Sequence, residues 1–161
     1  MGRFSLQQLS SYYRPRQSLK MKKSIRRNVF ETNSSSSHVL SIPFGKDQKE
    51  RFTFNPENIS NPLIIEEKEF TMEGNVLYTP EEKIEYIYAL NCSKCRYETD
   101  EEFEEFLREF VPENVEIQFK KNEEVYCHVD WQSSNLLDDA YISWREFITG
   151  PYILSLVGDW V

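Results

Sequence analysis

The stretch that decides the fold is TPEEKIEYIYALN, residues 79–91, which contains a complete helix start. Thr79 is a suitable N-cap and Pro80 suits the first helical position. Glu82 stands three residues after the cap, where its side chain closes a capping box. Apolar residues at helical spacing follow, namely Ile84, Ile87 and Tyr88. The pattern predicts a helix from Pro80 to about Asn91.

The same start signal recurs 20 residues later. Thr99 and Glu102 form a second capping box, and Pro112 marks the end of the segment. Between them the apolar stripe is Phe103, Phe106, Leu107 and Phe110. The sequence therefore predicts a second helix with an apolar stripe and an acidic back. The acidic runs, among them Glu66-Glu67, are interpreted as solvated faces.

Strand patterns lie on both sides of these two helices. The predicted strands are His38–Ile42, Leu63–Ile65, Glu69–Met72, Val76–Tyr78, a hairpin of Val115–Phe119 with Glu124–Asp130, and a central apolar strand at Tyr152–Val157. Residues 44–62 are expected to form an irregular connection with at most a short strand at Phe52–Phe54. A third helix is predicted from Ser133 or Ser134 to Gly150, with Leu137, Tyr141, Trp144 and Ile148 on one face.

These elements together predict an α+β fold. We expect one domain over residues 21–161, with a mainly antiparallel sheet and about three helices packed on one face. Residues 1–20 are basic and show no periodicity, so they are expected to be a disordered arm or a start assigned too early, ahead of Met21.

Composition and charge narrow the class of protein. The chain has 161 residues, of which 39% are hydrophobic and 14% aromatic, enough for a real core. Residues 1–27 hold eight basic side chains and no acid, which leaves 11 bases against 27 acids and a charge of −16 for the remainder. A body this acidic repels nucleic acid. Since no membrane segment or signal peptide is visible, a cytoplasmic location is expected.

The cysteines offer a candidate metal site. Cys92 and Cys95 have the two-residue spacing of a zinc knuckle, and Cys127, His128 or His38 could complete the ligand set. The alternative is a pair of ordinary reduced thiols at a helix end.

A polar loop and a strand end offer a second candidate site. The Ser-rich loop could place a nucleophile beside a base or hold an anion, and a plain surface loop is the alternative. On the predicted strand, alternation puts Tyr126, His128, Asp130 and Gln132 on one face. The candidate catalytic residues are Glu31, His38, His128 and Asp130, and the candidate ligand-binding residues are Arg26, Arg27, Thr32, Asn33, Ser34, Ser35, Ser36, Ser37 and Gln132.

The stretch Arg26–His38, RRNVFETNSSSSH, resembles the opening of a family of short proteins from bacteriophages and Firmicutes. Two later segments, Val129–Ser133 and Val157–Trp160, are similar to it more loosely, with Trp131 standing where the pattern has His. The family supplies no reaction or cofactor. The resemblance implies a phage-type accessory protein with a site at its polar loop residues.

Three functions are therefore considered. The leading hypothesis is a pocket formed by Glu31–His38 and Tyr126–Gln132 that binds, and could transform, a phosphate-bearing or other anionic small ligand. The second is an acidic protein that binds a basic surface of a host protein. The third is a zinc-stabilised adaptor held by Cys92 and Cys95.

Overall fold

The computed structural model describes residues 29–31, 37–70, 76–126, 128–129 and 133–157. One sheet is built from β1 (Val29–Glu31), β2 (Ser37–Ser41), β4 (Val76–Leu77) and β6 (Ile153–Val157), in the order β1-β2-β6-β4. All of its pairings are antiparallel. The apolar β6 lies between β2 and β4 and buries Leu154 and Leu156, which confirms the predicted central strand.

A second sheet pairs β3 (Leu63–Glu66) with β5 (Ile117–Lys120) in parallel. The predicted hairpin of 115–119 with 124–130 is therefore wrong, because β5 finds its partner more than 50 residues away. The described residues after β5 form a turn, and Val129 makes a single parallel bridge to Phe70. The α+β class is confirmed, but the strands are not all antiparallel.

Both capped helices are confirmed, as α2 (Pro80–Lys94) and α3 (Asp100–Arg108). At Thr79 the capping box is complete. At Thr99 the hydroxyl accepts the Glu102 N–H, but the Glu102 carboxylate accepts the N–H of Glu98 instead of the cap residue. All residues of α2 from 83 to 91 are buried, so this helix runs through the centre of the core.

Two other helical predictions are wrong. The third helix is broken into a 3-10 turn (Ser133–Asn135), α4 (Leu136–Asp139) and α5 (Trp144–Thr149). The break occurs because Tyr141 adopts a left-handed backbone (φ 57°), after which Ser143 caps α5. The segment expected to be irregular contains α1 (Lys46–Phe52), a surface helix with no buried residue, and a 3-10 turn at Pro56–Asn58.

Aromatic rings fill the space around α2. Tyr86 packs edge-on against Phe70 and Phe147, with ring centroids 5.4 and 5.9 Å away. On the other side of the helix Tyr88 contacts Phe103 at 5.2 Å and Phe119 of β5 at 5.4 Å. None of the helices in the described ranges has the length and apolar content needed to cross a membrane.

Candidate metal centre

Three side chains that bind metals well converge beneath the last turns of α2. Glu67, Cys92 and His128 each place one ligand atom within 4.8 Å of the other two. Glu67 follows β3, Cys92 lies on α2 and His128 stands beside the bridge at Val129. The cluster therefore joins three segments that are distant in sequence.

Backbone hydrogen bonds fix the position of Glu67. Its N–H donates to the Lys120 carbonyl at 2.8 Å, which extends the parallel pairing one residue beyond β3. Its carboxylate accepts the Asn122 N–H at 3.0 Å through Oε2 and lies 2.7 Å from His128 Nε2 through Oε1. The side chain is only 16% exposed. The carboxylate is thus held by two neighbours before any ligand binds.

His128 is held by its own backbone as well as by Glu67. Its carbonyl accepts the Phe70 N–H at 2.8 Å, next to the Phe70–Val129 bridge. The imidazole is 17% exposed. Because a carboxylate that binds one ring nitrogen fixes the orientation of an imidazole, Glu67 determines where the other nitrogen points.

Cys92 is a half-buried residue of the last turn of α2, one turn after Tyr88. Burial raises the pKa of its thiol, and the nearby Glu67 carboxylate raises it further. For Glu67 itself, burial alone would raise the pKa, but the hydrogen bonds from His128 and Asn122 lower it below its usual value. A cation at this place would favour the thiolate.

A second set of polar side chains, Tyr88, Asp100 and Lys121, lies next to the cluster on the same face of α2. The Tyr88 hydroxyl donates to Asp100 Oδ1 at 2.7 Å, and the Lys121 ammonium binds both Asp100 Oδ1, at 2.8 Å, and the Tyr88 oxygen. Burial raises the pKa of Tyr88, and Asp100 adds to the rise. Burial would lower the pKa of Lys121, but its bonds to Asp100 and Tyr88 raise it.

The donor set has two chemical uses. A thiolate sulfur, an imidazole nitrogen and a carboxylate oxygen are the three side-chain ligands that zinc takes in proteins. The same groups could form a thiol nucleophile with a base and its orienting acid. The position of Cys92 favours the metal, because the C-terminal end of a helix is the negative end of its dipole and opposes an isolated thiolate.

The structure brings two of the sequence-predicted residues, His128 and Cys92, into this cluster. Cys95 lies outside it: the residue is exposed and its Sγ lies 3.9 Å from the Cys92 carbonyl. Tyr126 is 95% exposed and is not part of a strand with His128. The expected alternation of side chains along 124–130 is therefore not realised in the described residues of this segment.

The described residues of the polar loop belong to the first sheet and not to the segment that carries His128. Glu31 belongs to β1, where it pairs with Val39, while Ser37 and His38 belong to β2 and pair with Val157 and Leu156. The remaining candidates lie outside the described residues, namely Arg26, Arg27, Thr32, Asn33, Ser34, Ser35, Ser36, Asp130, Gln132 and Cys127. Their roles remain predictions.

Glu67 is the residue that sequence reasoning missed. It belongs to the Glu66-Glu67 pair, for which the sequence predicts a solvated face, and that prediction is wrong for Glu67. The available signal is strand alternation: Leu63 and Ile65 are buried while Ile64 is exposed, and Glu67 continues the buried face.

Comparisons of the chain with protein-family models, with curated proteins and with solved structures found no match. The resemblance based on Arg26–His38 therefore stays a prediction.

Proposed function

We propose that the protein is a metal-binding protein whose Glu67, Cys92 and His128 hold a zinc-class divalent ion. The observation that carries the proposal is the convergence of the three unlike donors, all within 4.8 Å of one another. A sulfur, a nitrogen and an oxygen donor together match the preferences of a borderline ion such as Zn²⁺ and not those of Mg²⁺ or Ca²⁺, which take oxygen ligands.

The geometry needs little change to accept such an ion. Ligands of a tetrahedral zinc site lie about 3.5 Å apart, given metal–ligand bonds of about 2.0 to 2.3 Å. His128 Nε2 and Glu67 Oε1 are 2.7 Å apart, so this hydrogen-bonded pair has to open by less than about 1 Å. The ion would then replace a hydrogen bond by two coordinate bonds and bring Cys92 into the same sphere.

Binding at this place would stabilise the attachment of the segment after β5. That segment has no strand ladder among the described residues: it is held by the Phe70–Val129 bridge, by the Asn122 and Tyr126 N–H groups on Glu67 and Glu69, and by the contact between His128 and Glu67. An ion shared by α2, the end of β3 and His128 would fasten this segment, as structural zinc does in small domains. This proposal retains the predicted zinc-stabilised adaptor with Cys92 and His128 among its ligands, and Glu67 takes the place of Cys95.

The test is titration of the full chain with Co²⁺, whose absorption reports tetrahedral thiolate ligation. We expect one ion per chain, displaced by Zn²⁺, and loss of the thiolate charge-transfer band in Cys92→Ser. The matched control is Cys95→Ser, which removes a neighbouring thiol outside the cluster and should leave the spectrum unchanged. A chain that binds no Co²⁺, or whose band depends on Cys95 alone, would refute the proposal.

A second candidate function is recognition of a basic protein surface, and the surface of α3 supports it. A groove of about 520 Å³ there is lined by Arg96, Tyr97, Glu102, Glu105, Phe106 and Glu109. The rings of Tyr97 and Phe106 stack at 5.4 Å, and the Arg96 guanidinium stands 4.9 Å from the centre of the Trp144 ring. Three glutamates beside the stacked Tyr97 and Phe106 rings fit arginine or lysine side chains of a partner.

This second proposal is tested with a fluorescent octa-arginine peptide at low and high salt. Glu105→Lys should weaken binding about 10-fold at low salt, because it reverses a charge within the groove. Glu57→Lys makes the same change in net charge outside the groove and should have a much smaller effect. Equal effects of the two variants would show attraction by net charge alone and would contradict recognition in the groove.

A further inference from the structure

We propose that the metal centre is an anion-binding site in which a phosphate group bridges the bound ion and the Lys121 ammonium. The inference rests on the proposed function, since it needs the ion in place. It assigns the ligand class of that site, a phosphate-bearing or similar oxyanion, from the residues around the cluster.

The first argument is the number of protein ligands. Glu67, Cys92 and His128 supply three donors among the described residues. Zinc sites with three protein ligands keep a fourth position for water or a ligand oxygen, whereas closed structural sites use four. A phosphate oxygen is a suitable occupant of that fourth position, because it is a hard anionic donor and replaces a bound water.

The second argument is the state of the Lys121 ammonium. Asp100 and the Tyr88 oxygen account for two of its three N–H donors, and the nitrogen lies 5.0 Å from the centre of the Tyr88 ring. The side chain is 54% exposed. The ammonium is therefore held in one place by two neighbours. Within the part of the chain that the structure describes, its third N–H donor has no acceptor and part of its surface is open to a ligand.

The third argument is proximity along two elements. Tyr88 and Cys92 lie one turn apart on the same face of α2, about 6 Å along the axis, so the ammonium that binds the Tyr88 oxygen lies on the side of α2 that carries the thiol. From the other side, the residues before and after Lys121 both bind Glu67: Lys120 through its carbonyl and Asn122 through its N–H. Lys121 therefore lies beside two of the three ligands, Cys92 and Glu67.

The neighbouring lysine provides a matched control. Lys120 lies next to Lys121 in sequence, but its ammonium binds Glu66 at 2.7 Å. Side chains of adjacent residues at a strand end point in opposite directions, so Lys120 does not share the face of the metal centre. Removing either charge changes the net charge of the chain equally.

The experiment uses the full chain loaded with Co²⁺ and titrated with inorganic phosphate. We expect phosphate to shift the cobalt d–d bands in a saturable way. Lys121→Met should raise the phosphate dissociation constant at least about 10-fold, because a hydrogen bond from a charged donor is lost. Lys120→Met should change it less than about 2-fold, and Lys121→Arg should restore most of the affinity.

The outcomes separate the two proposals. If the chain takes up no Co²⁺, the metal site itself is wrong. If Co²⁺ binds and phosphate leaves its spectrum unchanged, the anion site is overturned while the metal site stands. If Lys120→Met and Lys121→Met weaken phosphate equally, attraction by net charge explains the result and the role of Lys121 is overturned. Equal Co²⁺ affinity in all variants shows that none of them has lost the fold.

Discussion

The two ends of α2 each bury polar side chains, but they do so in different ways. Near its start Lys83 is 0% exposed, and its ammonium donates to the Gly150 carbonyl at 2.8 Å and to the Phe52 carbonyl at 3.4 Å. Near its end Cys92 meets Glu67 and His128. The Lys83 end is satisfied by fixed backbone groups, whereas the Cys92 end gathers side-chain donors that can bind a further atom. Burial of a polar group therefore does not mark a site; convergence of unlike donors does.

The Lys83 end is also where two other helices finish. Phe52 is the last residue of α1 and Gly150 is the C-cap of α5, so the ammonium binds carbonyls that those helices leave without an internal partner. The positive charge also complements the negative ends of both helix dipoles. Lys83 thus has a structural role that explains its burial completely.

The largest effect is expected from reversing that charge. Lys83→Glu places a carboxylate against two carbonyl oxygens in the core and should reduce the free energy of unfolding by about 4 kcal/mol. Lys94→Glu changes a partly exposed lysine of the same helix, whose ammonium pairs with the exposed Asp138, and should cost less than about 1 kcal/mol. Urea denaturation measures both. Similar costs for the two variants would mean that Lys83 is not held as described.

The next effect belongs to the Cys92 end. Zinc at 100 times its dissociation constant should raise the free energy of unfolding by about 2.7 kcal/mol, and a chelator should reverse the gain. His128→Ala removes one ligand and should abolish most of this gain, while Lys83→Met should keep it. Thermal unfolding with and without zinc measures the difference. Zinc stabilisation that survives in His128→Ala would place the ion elsewhere.

The two ends should also differ in their response to pH. Burial lowers the pKa of Lys83 from 10.5 to about 8. Between about pH 8 and 10.5, Lys83 keeps its proton in the unfolded chain and releases it in the folded chain. The free energy of unfolding therefore rises with pH, by about 2 kcal/mol from pH 7.5 to 9.5. The raised pKa of Tyr152, about 12, acts in the opposite direction only above pH 10.

The measurement compares the wild type with Lys83→Met across that pH range. We expect the free energy of unfolding of the wild type to rise relative to that of the variant. Cys92 and the tyrosines titrate in both proteins, so their contributions cancel in this comparison. Parallel curves for the two proteins would show that the Lys83 ammonium stays protonated in the fold over the whole range.

The smallest effect is expected from the N-cap of α2. Thr79→Ala removes the acceptor of the Glu82 N–H and should reduce the free energy of unfolding by about 1 kcal/mol. Because the cap lies more than three helical turns before Cys92, Co²⁺ affinity should stay within about 2-fold. A large loss of affinity would indicate that the cap positions Cys92.

The predictable parts of this fold are those with local signals. The capping residue Thr79 and the stripe from Phe103 define α2 and α3 without reference to the rest of the chain. Lys46–Phe52 forms α1 without an apolar face, so hydrophobic periodicity could not reveal it. The left-handed Tyr141, which divides the last helical segment, also has no signal such as Gly or Asn.

The candidate site was predictable only in part, for a related reason. Cys92 and His128 are rare residue types and stand out in any sequence. Glu67 becomes a partner only because β3 pairs with β5 in parallel, a contact between residues more than 50 positions apart. The alternating pattern of Val115–Phe119 is equally compatible with a local hairpin, and the sequence contains nothing that decides between the two pairings.

The most direct test of the metal centre is X-ray absorption spectroscopy of the zinc-loaded full chain. The proposed site predicts a first shell with one sulfur at about 2.3 Å and two or three nitrogen or oxygen atoms at about 2.0 to 2.1 Å. The sulfur should disappear in Cys92→Ser and remain in Cys95→Ser. A shell with two or more sulfur atoms, or with none in the wild type, would contradict ligation by Glu67, Cys92 and His128.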